Sequence, residues 1–430
     1  MIQRSQDPFT CLTKNYSCII AYWNAIFLLF ENIQTIEQME GFVLNKIITL
    51  FFLIMFFIGT DTFIVSPLLP ILRESFGISI EQSGWIVSAY ALGYALFALI
   101  AGPLSDAWNR KKVLLFGLLG FGIFTLLCGF AVDFWTMFAF RLLAGISAAF
   151  ASPQVWAAIP QLVQPHKVLK AMGVATAGLA FSQMLGVPIG SYLATAGWQT
   201  PFIMIGCCTF LIVIWTAVLL PALPPSIQKQ KALSIRNRYR SLLQGSTPKV
   251  AFLAYFLFQL GNFAAFSFIG TWLSDKFSLN VANIGTVILF LGLGNTISSL
   301  FGSSLVNKVG PKHSLIYGVI FIGLLYLLLP YLPSVTYVEI TYFLIFLILG
   351  MIFPLMMSML QTLSATARGT VSSLANSSMY FGTMVGSFTA GMLYAHSGGF
   401  ITVSLFSVIC FGVSLILFLR SGVLLGLRLK

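Results

Sequence analysis

The chain has 430 residues, of which 58% are hydrophobic, 15% aromatic and 8% charged, with a formal net charge of +12. Soluble domains carry about 25% charged residues, so this composition excludes a soluble globular fold and describes a polytopic membrane protein. The basic residues lie scattered between apolar runs, where they read as topology signals rather than a nucleic-acid face, and the sequence holds no P-loop, HExxH or nucleophile elbow to drive an ATPase or a hydrolase.

Residues 1–42 read as an N-terminal extension rather than a span. The apolar patch 17–30 contains Asn24 and is too short to cross a bilayer. It also lacks the basic flank and cleavage site of a signal peptide. An interfacial helix is the alternative reading.

Twelve apolar runs follow, at 44–70, 82–101, 113–132, 135–156, 168–192, 200–220, 249–273, 283–306, 313–331, 335–360, 369–394 and 399–419. Runs of about 20 residues, rising ~1.5 Å per residue as helices, cross a ~30 Å hydrocarbon core. Gly102-Pro-Leu-Ser-Asp-Ala-Trp-Asn-Arg-Lys-Lys112 is a charged turn between the second and third runs. Residues 221–248 form the one long polar connection, opened by Pro221, Pro224 and Pro225 and carrying Lys229, Lys231, Arg236, Arg238 and Arg240. This linker separates a first bundle, 43–220, from a second, 249–420, with 421–430 as a tail. Basic residues concentrate in alternate connections (Arg110, Lys111, Lys112, Lys167, Lys170, the linker, Lys308, Lys312 and Arg368). The positive-inside rule then places both termini and the linker in the cytoplasm, in a multi-pass protein of the plasma membrane.

An internal repeat organises these runs. An offset of 201 residues carries Asp61 onto Asn262, Phe76 onto Phe277, Gly84 onto Gly285, Gly93 onto Gly294, Asp106 onto Asn307 and Lys111 onto Lys312. The expected fold is therefore an all-α membrane protein, with twelve transmembrane helices in two parallel six-helix repeats around a central cavity.

Of the eleven acidic residues, Asp61 alone lies well inside a run; among the 23 basic residues, Arg141 alone does. Ionisable groups at such depth are expensive and face an aqueous path or each other. Burial suits Asp61 to reversible protonation, and a proton-coupling or cation-binding role for Asp61, with Arg141 as the other buried charge, is the functional expectation. A carboxylate bonded to a neighbouring helix, and an arginine that fixes packing, are the structural alternatives. In the fifth run Gly178, Ser182, Gly186 and Gly190 recur one turn apart around Pro188, and Gly386 lies in the eleventh. Small residues at this spacing let helices approach, and the proline suggests a hinge. Candidate cavity residues are Phe63, Gln154, Gln183, Asn262, Phe266, Phe353, Met356, Asn376 and Tyr380. A wall of aromatic and Met surface with few polar groups favours amphipathic small molecules.

The charged turn resembles the loop signature of the major facilitator superfamily, as does its weaker copy Ser303-Ser-Leu-Val-Asn-Lys-Val-Gly-Pro-Lys312. Arg141-Leu-Leu-Ala-Gly-Ile-Ser-Ala-Ala149 resembles the fourth-span signature of its drug:proton antiporter branches. The resemblance implies a latch in which Asp106 faces Gly369 and Thr370 at the start of the eleventh span and Arg110 holds that acid. Gly102, Lys111, Asn307, Gly310, Lys312 and Arg368 complete the two copies. Two positions depart from the family pattern: Asn109 stands where a glycine is usual, and the fifth span reads Gly186-Val-Pro188-Ile-Gly190 rather than Gly-Pro-x-x-Gly-Gly. The latter form is closer to the sugar, nucleoside and small-metabolite exporters. The expectation is thus a monomeric, proton-coupled exporter of a small organic compound, without cofactor or metal and not an enzyme. A symporting importer and a non-transporting membrane sensor are the rivals.

Overall fold

The computed structural model describes residues 42–164, 167–223, 235–364 and 368–423. The chain divides into two compact units, Met1–Lys46 and Ile47–Lys430, and every interaction below lies within the second. The proposed N-terminal extension lies almost wholly outside the described residues.

The helices are α1 (Phe42–Phe76), α2 (Ile80–Ala107), α3 (Arg110–Cys128), α4 (Phe134–Leu162), α5 (Val168–Phe181), α6 (Val187–Leu193) and α7 (Thr200–Leu219) in the first half. A short α8 (Ile235–Leu242) lies in the linker. The second half has α9 (Ser246–Ser267), α10 (Ile269–Phe277), α11 (Val281–Val309), α12 (Pro311–Leu328), α13 (Val335–Gln361), α14 (Arg368–His396) and α15 (Phe400–Arg420). Helices α5 and α6 form one interrupted span, and α9 and α10 another.

Eleven of the described spans are long and apolar enough to cross a membrane. The twelfth, α14, has the length, at 29 residues, but carries Ser372, Ser373, Asn376, Ser377, Ser378, Thr383 and Ser387. It packs along α2 on one side and α9 on the other, so its polar groups meet helices rather than lipid.

Local signals set the helix starts. Ser79 and Gln82 form a capping box at α2, and Asp133 and Thr136 form one at α4. In these boxes each side chain takes a backbone N–H that the helix leaves unbonded. The Thr136 backbone N–H and hydroxyl hold the Asp133 carboxyl below its usual range. Asn280 caps α11 in the same way as Ser79, 201 residues earlier, caps α2.

The same offset governs packing. A methyl group added to Gly93 would strike α4 at Leu142 and Ile146, and one added to Gly294 would strike α13 at Phe343 and Leu347. Gly117 lies on Ser147 and Ala151, and Gly318 on Ile348 and Ile352. Each partner stands 201 residues from its counterpart, so the repeat is one of contacts as well as of residues. Within the second half, serines of α15 tie it to α9: Ser407 and Ser414 donate to the carbonyls of Gly261 (2.7 Å) and Ala254 (2.6 Å).

Candidate functional site: a buried ion pair beneath the interhelical cavity

Asp61 lies in α1 between two threonines whose hydroxyls bond back to their own helix, Thr60 to the Phe56 carbonyl and Thr62 to that of Ile58, both at 2.8 Å. The carboxylate therefore takes its partner from another helix. Arg141 of α4 donates from Nη1 to Asp61 Oδ2 at 2.8 Å, with side-chain exposures of 1% and 0%. Its Nη2 lies 3.4 Å from the Asp61 backbone carbonyl, and the guanidinium sits over the Tyr90 ring of α2, 4.5 Å from the centroid. Thr125 of α3 lies beside the carboxylate. Asp61 Oδ1 has no hydrogen-bond partner among the described residues, which leaves one oxygen able to take a proton. Thus α1, α2, α3 and α4 converge on one ion pair.

Gly145 makes this convergence possible. It stands one turn beyond Arg141, and a Cβ there would fall on the Tyr90 carbonyl. Only a residue without a side chain lets α4 lie against α2 so closely that the guanidinium covers the Tyr90 ring.

Arg141 brings the pair to the floor of a cavity between the halves. Thr62, Phe63, Ser66, Tyr90 and Arg141 line it from the first half, and Phe263, Phe266, Ser267, Tyr380 and Thr383 from the second. Its free space is closed down to roughly one water molecule. The halves touch on both sides of it. Toward Gly77, the seventh span breaks at Phe268, leaving carbonyls without helical donors. The Ser66 hydroxyl points at two of them, Phe266 (2.6 Å) and Ser267 (3.1 Å). Farther out Glu81 pairs with His396. Within the second half, Ser267 Oγ meets Ser387 Oγ at 2.6 Å and the Tyr394 hydroxyl donates to Asp275 at 2.7 Å. Toward Arg110, Ser377 donates to the Ala95 carbonyl at 2.8 Å and the Tyr94 and Tyr380 rings stack at 3.6 Å.

Of the cavity residues expected from sequence, Phe63, Phe266 and Tyr380 line it. Gln154 is fully buried in α4. Thirteen residues past Arg141, at about 100° per residue, it faces another side of that helix. Gln183 accepts from Asn295 Nδ2 of α11 at 2.7 Å. Phe353 lies beside Tyr255, and Met356 is fully buried. Asn262 and Asn376 are half-buried in α9 and α14; none of these six lines the cavity. Thr62, Ser66, Tyr90, Ser267 and Thr383 were not anticipated. The available signal was Tyr90 and Tyr94, polar-tipped and one turn apart in an uncharged run.

The small-residue stripe faces α1 along its length. Gly178 lies on the Phe52 carbonyl and Met55, Ser182 on Gly59, Gly186 on the Thr60 hydroxyl and Gly190 on Ile64. Gly386 of α14 faces Leu260 of α9. Pro188 has no N–H and crowds the carbonyl four residues before it. The chain answers with a π turn, Ser182–Gly186, in which Val187 N–H bonds five residues back to Ser182. This irregular turn lies opposite Thr60, one residue from Asp61.

The side chains of Gly102, Asp106, Arg368 and Gly369 lie outside the described residues, so the latch expected between them is not visible. Nearby, the buried Arg110 donates its backbone N–H to the Leu223 carbonyl (3.2 Å), and Lys111 Nζ reaches the Ala217 carbonyl (2.8 Å). Both tie the turn to the end of the sixth span. Asn307 and Lys312 are exposed, and Gly310 joins α11 to α12 at φ +88°. Asn109, the departure from the usual glycine, caps α3 by accepting the Lys111 N–H at 3.0 Å. Asn109→Ala is expected to cost about 1 kcal/mol and Asn109→Gly only a few tenths, measurable as a shift in melting temperature.

The family model of the Major Facilitator Superfamily matches residues 51–365 and 251–426. The chain is 51% identical over 371 residues to the uncharacterised MFS-type transporter YceJ of Bacillus subtilis, covering 86% of this chain and 95% of that one. It is 24% identical to multidrug resistance protein 2 of the same organism, over 77% of this chain and 84% of that one. It is 25% identical to the multi-drug resistance efflux pump PmrA of Streptococcus pneumoniae, over 80% and 88%. Among solved structures, a bacterial homolog of the human lysosomal transporter Spinster, inward-facing and unoccupied, has the same fold: TM-score 0.67 at 16% identity, covering 91% of this chain and 98% of that one. With two six-helix repeats around a central cavity, this multi-pass membrane protein is a transporter rather than an enzyme, and it belongs to the Major Facilitator Superfamily.

Proposed function

We propose that this transporter exports a small organic compound in exchange for protons, with Asp61 as the proton carrier and Arg141 as its counter-charge. The observation that carries this reading is the ion pair itself, buried under a cavity that both halves line. A buried charge left without its partner is costly. Protonation of Asp61 cancels the attraction at Oδ2 and leaves the Arg141 guanidinium seeking another acceptor. The first half thereby gains a reason to change its fit against the second. Substrate entering beside Tyr90 and Arg141 competes with the same proton.

The distant efflux relatives support the outward direction, and the Gly186-Val-Pro188-Ile-Gly190 form supports a metabolite-sized cargo over a broad drug range. The transporter works as a monomer in the plasma membrane with both termini in the cytoplasm. The test is a panel of lipophilic cations, nucleosides, purines and sugars offered to proteoliposomes under an imposed pH gradient. Antiport moves one class against the proton flow and acidifies or alkalinises the lumen accordingly. Movement of the same class with the protons would instead establish symport.

A further inference from the structure

Helix α2 starts at the rim marked by Gly77 and α14 ends there, so the two run antiparallel along the boundary between the halves. Their contacts form one ladder in register. Counted from the Arg110 side, Ser377 donates to the Ala95 carbonyl at 2.8 Å and Ser88 to the Met384 carbonyl at 2.9 Å. Gly84 then lies against the Ser387 carbonyl, and Gly391 against the Glu81 backbone. The last rung joins Glu81 Oε1 to His396 Nε2. The inner rungs are uncharged and buried. The last is titratable and open to water, with side-chain exposures of 33% for Glu81 and 68% for His396.

We propose that this rung is a pH-sensitive clasp on the face at Gly77, which is the outer face in the orientation proposed above. Protonated His396 holds Glu81 as an ion pair and keeps the face closed. Neutral His396 leaves only a hydrogen bond, and the face opens more readily. The clasp governs the opening of this face alone, so it does not rest on Asp61 as the proton carrier.

Glu81 belongs to the first half and His396 to the second, so any motion that opens this face separates them. A carboxylate in contact favours the charged imidazole in the closed form only. By linkage, a proton taken up by His396 then shifts the equilibrium toward that form. The end of α14 also favours a positive charge on His396, but it does so in both forms and cancels. The other charged groups at this rim are Arg73 and Glu74 of α1, Asp275 and Lys276 of α10 and Glu339 of α13; α15 brings none. Asp275, Lys276 and Glu339 travel with His396 in the second half. The Tyr394 hydroxyl occupies Asp275, and the Pro330 and Leu332 carbonyls occupy Lys276. Arg73 and Glu74 carry opposite charges side by side, so their net pull across the boundary is small. Imidazole is the side chain suited to such a switch, because its charge changes between about pH 5 and 8.

The test is double electron–electron resonance on the full-length protein in nanodiscs, on a cysteine-free background. Spin labels at Val132 and Tyr331, exposed at this face in the first and second half, report its opening as a change in distance. Wild type is compared with His396→Gln, Glu81→Gln and His396→Lys at about pH 8 and about pH 5.5, on either side of the ordinary imidazole range. On acidification the closed-to-open ratio of wild type is expected to rise about two- to five-fold more than that of either Gln variant, the range that exposed ion pairs give. His396→Lys, charged at both pH values, should hold the acidic wild-type ratio throughout. Asp61 is intact in every variant, so its own titration cancels from the comparison. Equal pH responses in wild type and His396→Gln would overturn the proposal. So would a response lost in His396→Gln but kept in Glu81→Gln, or a His396→Lys protein no more closed than His396→Gln.

Discussion

Asp61→Asn is expected to lower the melting temperature of the purified protein by roughly 5–10 °C, and Arg141→Met added to Asp61→Leu to recover most of the loss. Arg141 is 1% exposed and its ionic partner is Asp61. Removing one member of a buried pair leaves an uncompensated charge and costs about 3–5 kcal/mol. Replacing both with apolar side chains of similar size removes the desolvation penalty with the attraction, and such exchanges are often neutral. The Tyr90 ring gives the guanidinium a second, weaker contact, worth about 2 kcal/mol when desolvated, so Asp61→Asn is not expected to abolish folding. A double-mutant cycle on unfolding, with Asp61→Leu, Arg141→Met and the two combined, is the measurement. Additive effects, with no recovery in the double variant, would show that the pair is not coupled.

Gly145→Val is expected to be the most damaging single substitution in the first half. The added Cβ would meet the Tyr90 carbonyl, carbon and Cα of α2, all backbone atoms that cannot rotate away. Helices α2 and α4 would have to separate, withdrawing Arg141 from Tyr90. Overpacking of this kind costs at least 1–3 kcal/mol, and here the clash falls on backbone, so little or no folded protein should be recovered from membranes. Gly173→Ala is the control. It lies in α5 with nothing within 4 Å of an added Cβ, and should be neutral or stabilising by up to about 1 kcal/mol. Equal yields for the two variants would show that the close approach of α2 and α4 is dispensable.

Much of the architecture was legible because the bilayer imposes simple rules. Run length marks the spans, and one constant offset reveals the halves, which the packing of Gly93 and Gly294 reproduces contact for contact. Asp61 and Arg141 stood out singly, through the cost of burying charge. That they face each other was not legible, since α1 and α4 meet only through the three-dimensional arrangement of the bundle. Which polar candidates line the cavity was not legible for a related reason. Gln154 has the right chemistry, but helical phase decides which face a side chain takes, and a run that is apolar on every side hides its phase. Ser66 was invisible in sequence because its partners are backbone carbonyls, freed by a helix break at Phe268 that no proline or glycine at that position announces. The π turn at Ser182–Gly186 was foreshadowed by Pro188 as a kink, though not in its form.

The most direct test of Asp61 as the proton carrier compares two transport modes of Asp61→Asn in proteoliposomes, using the compound that wild type moves under a pH gradient. One mode is net transport driven by that gradient; the other is one-for-one exchange of labelled for unlabelled compound at equal pH. The expected result is loss of gradient-driven transport with exchange retained, because a neutral amide still lets the halves alternate around bound substrate but carries no proton. Gradient-driven transport at the wild-type rate would contradict the account and make the Asp61–Arg141 pair a structural feature only.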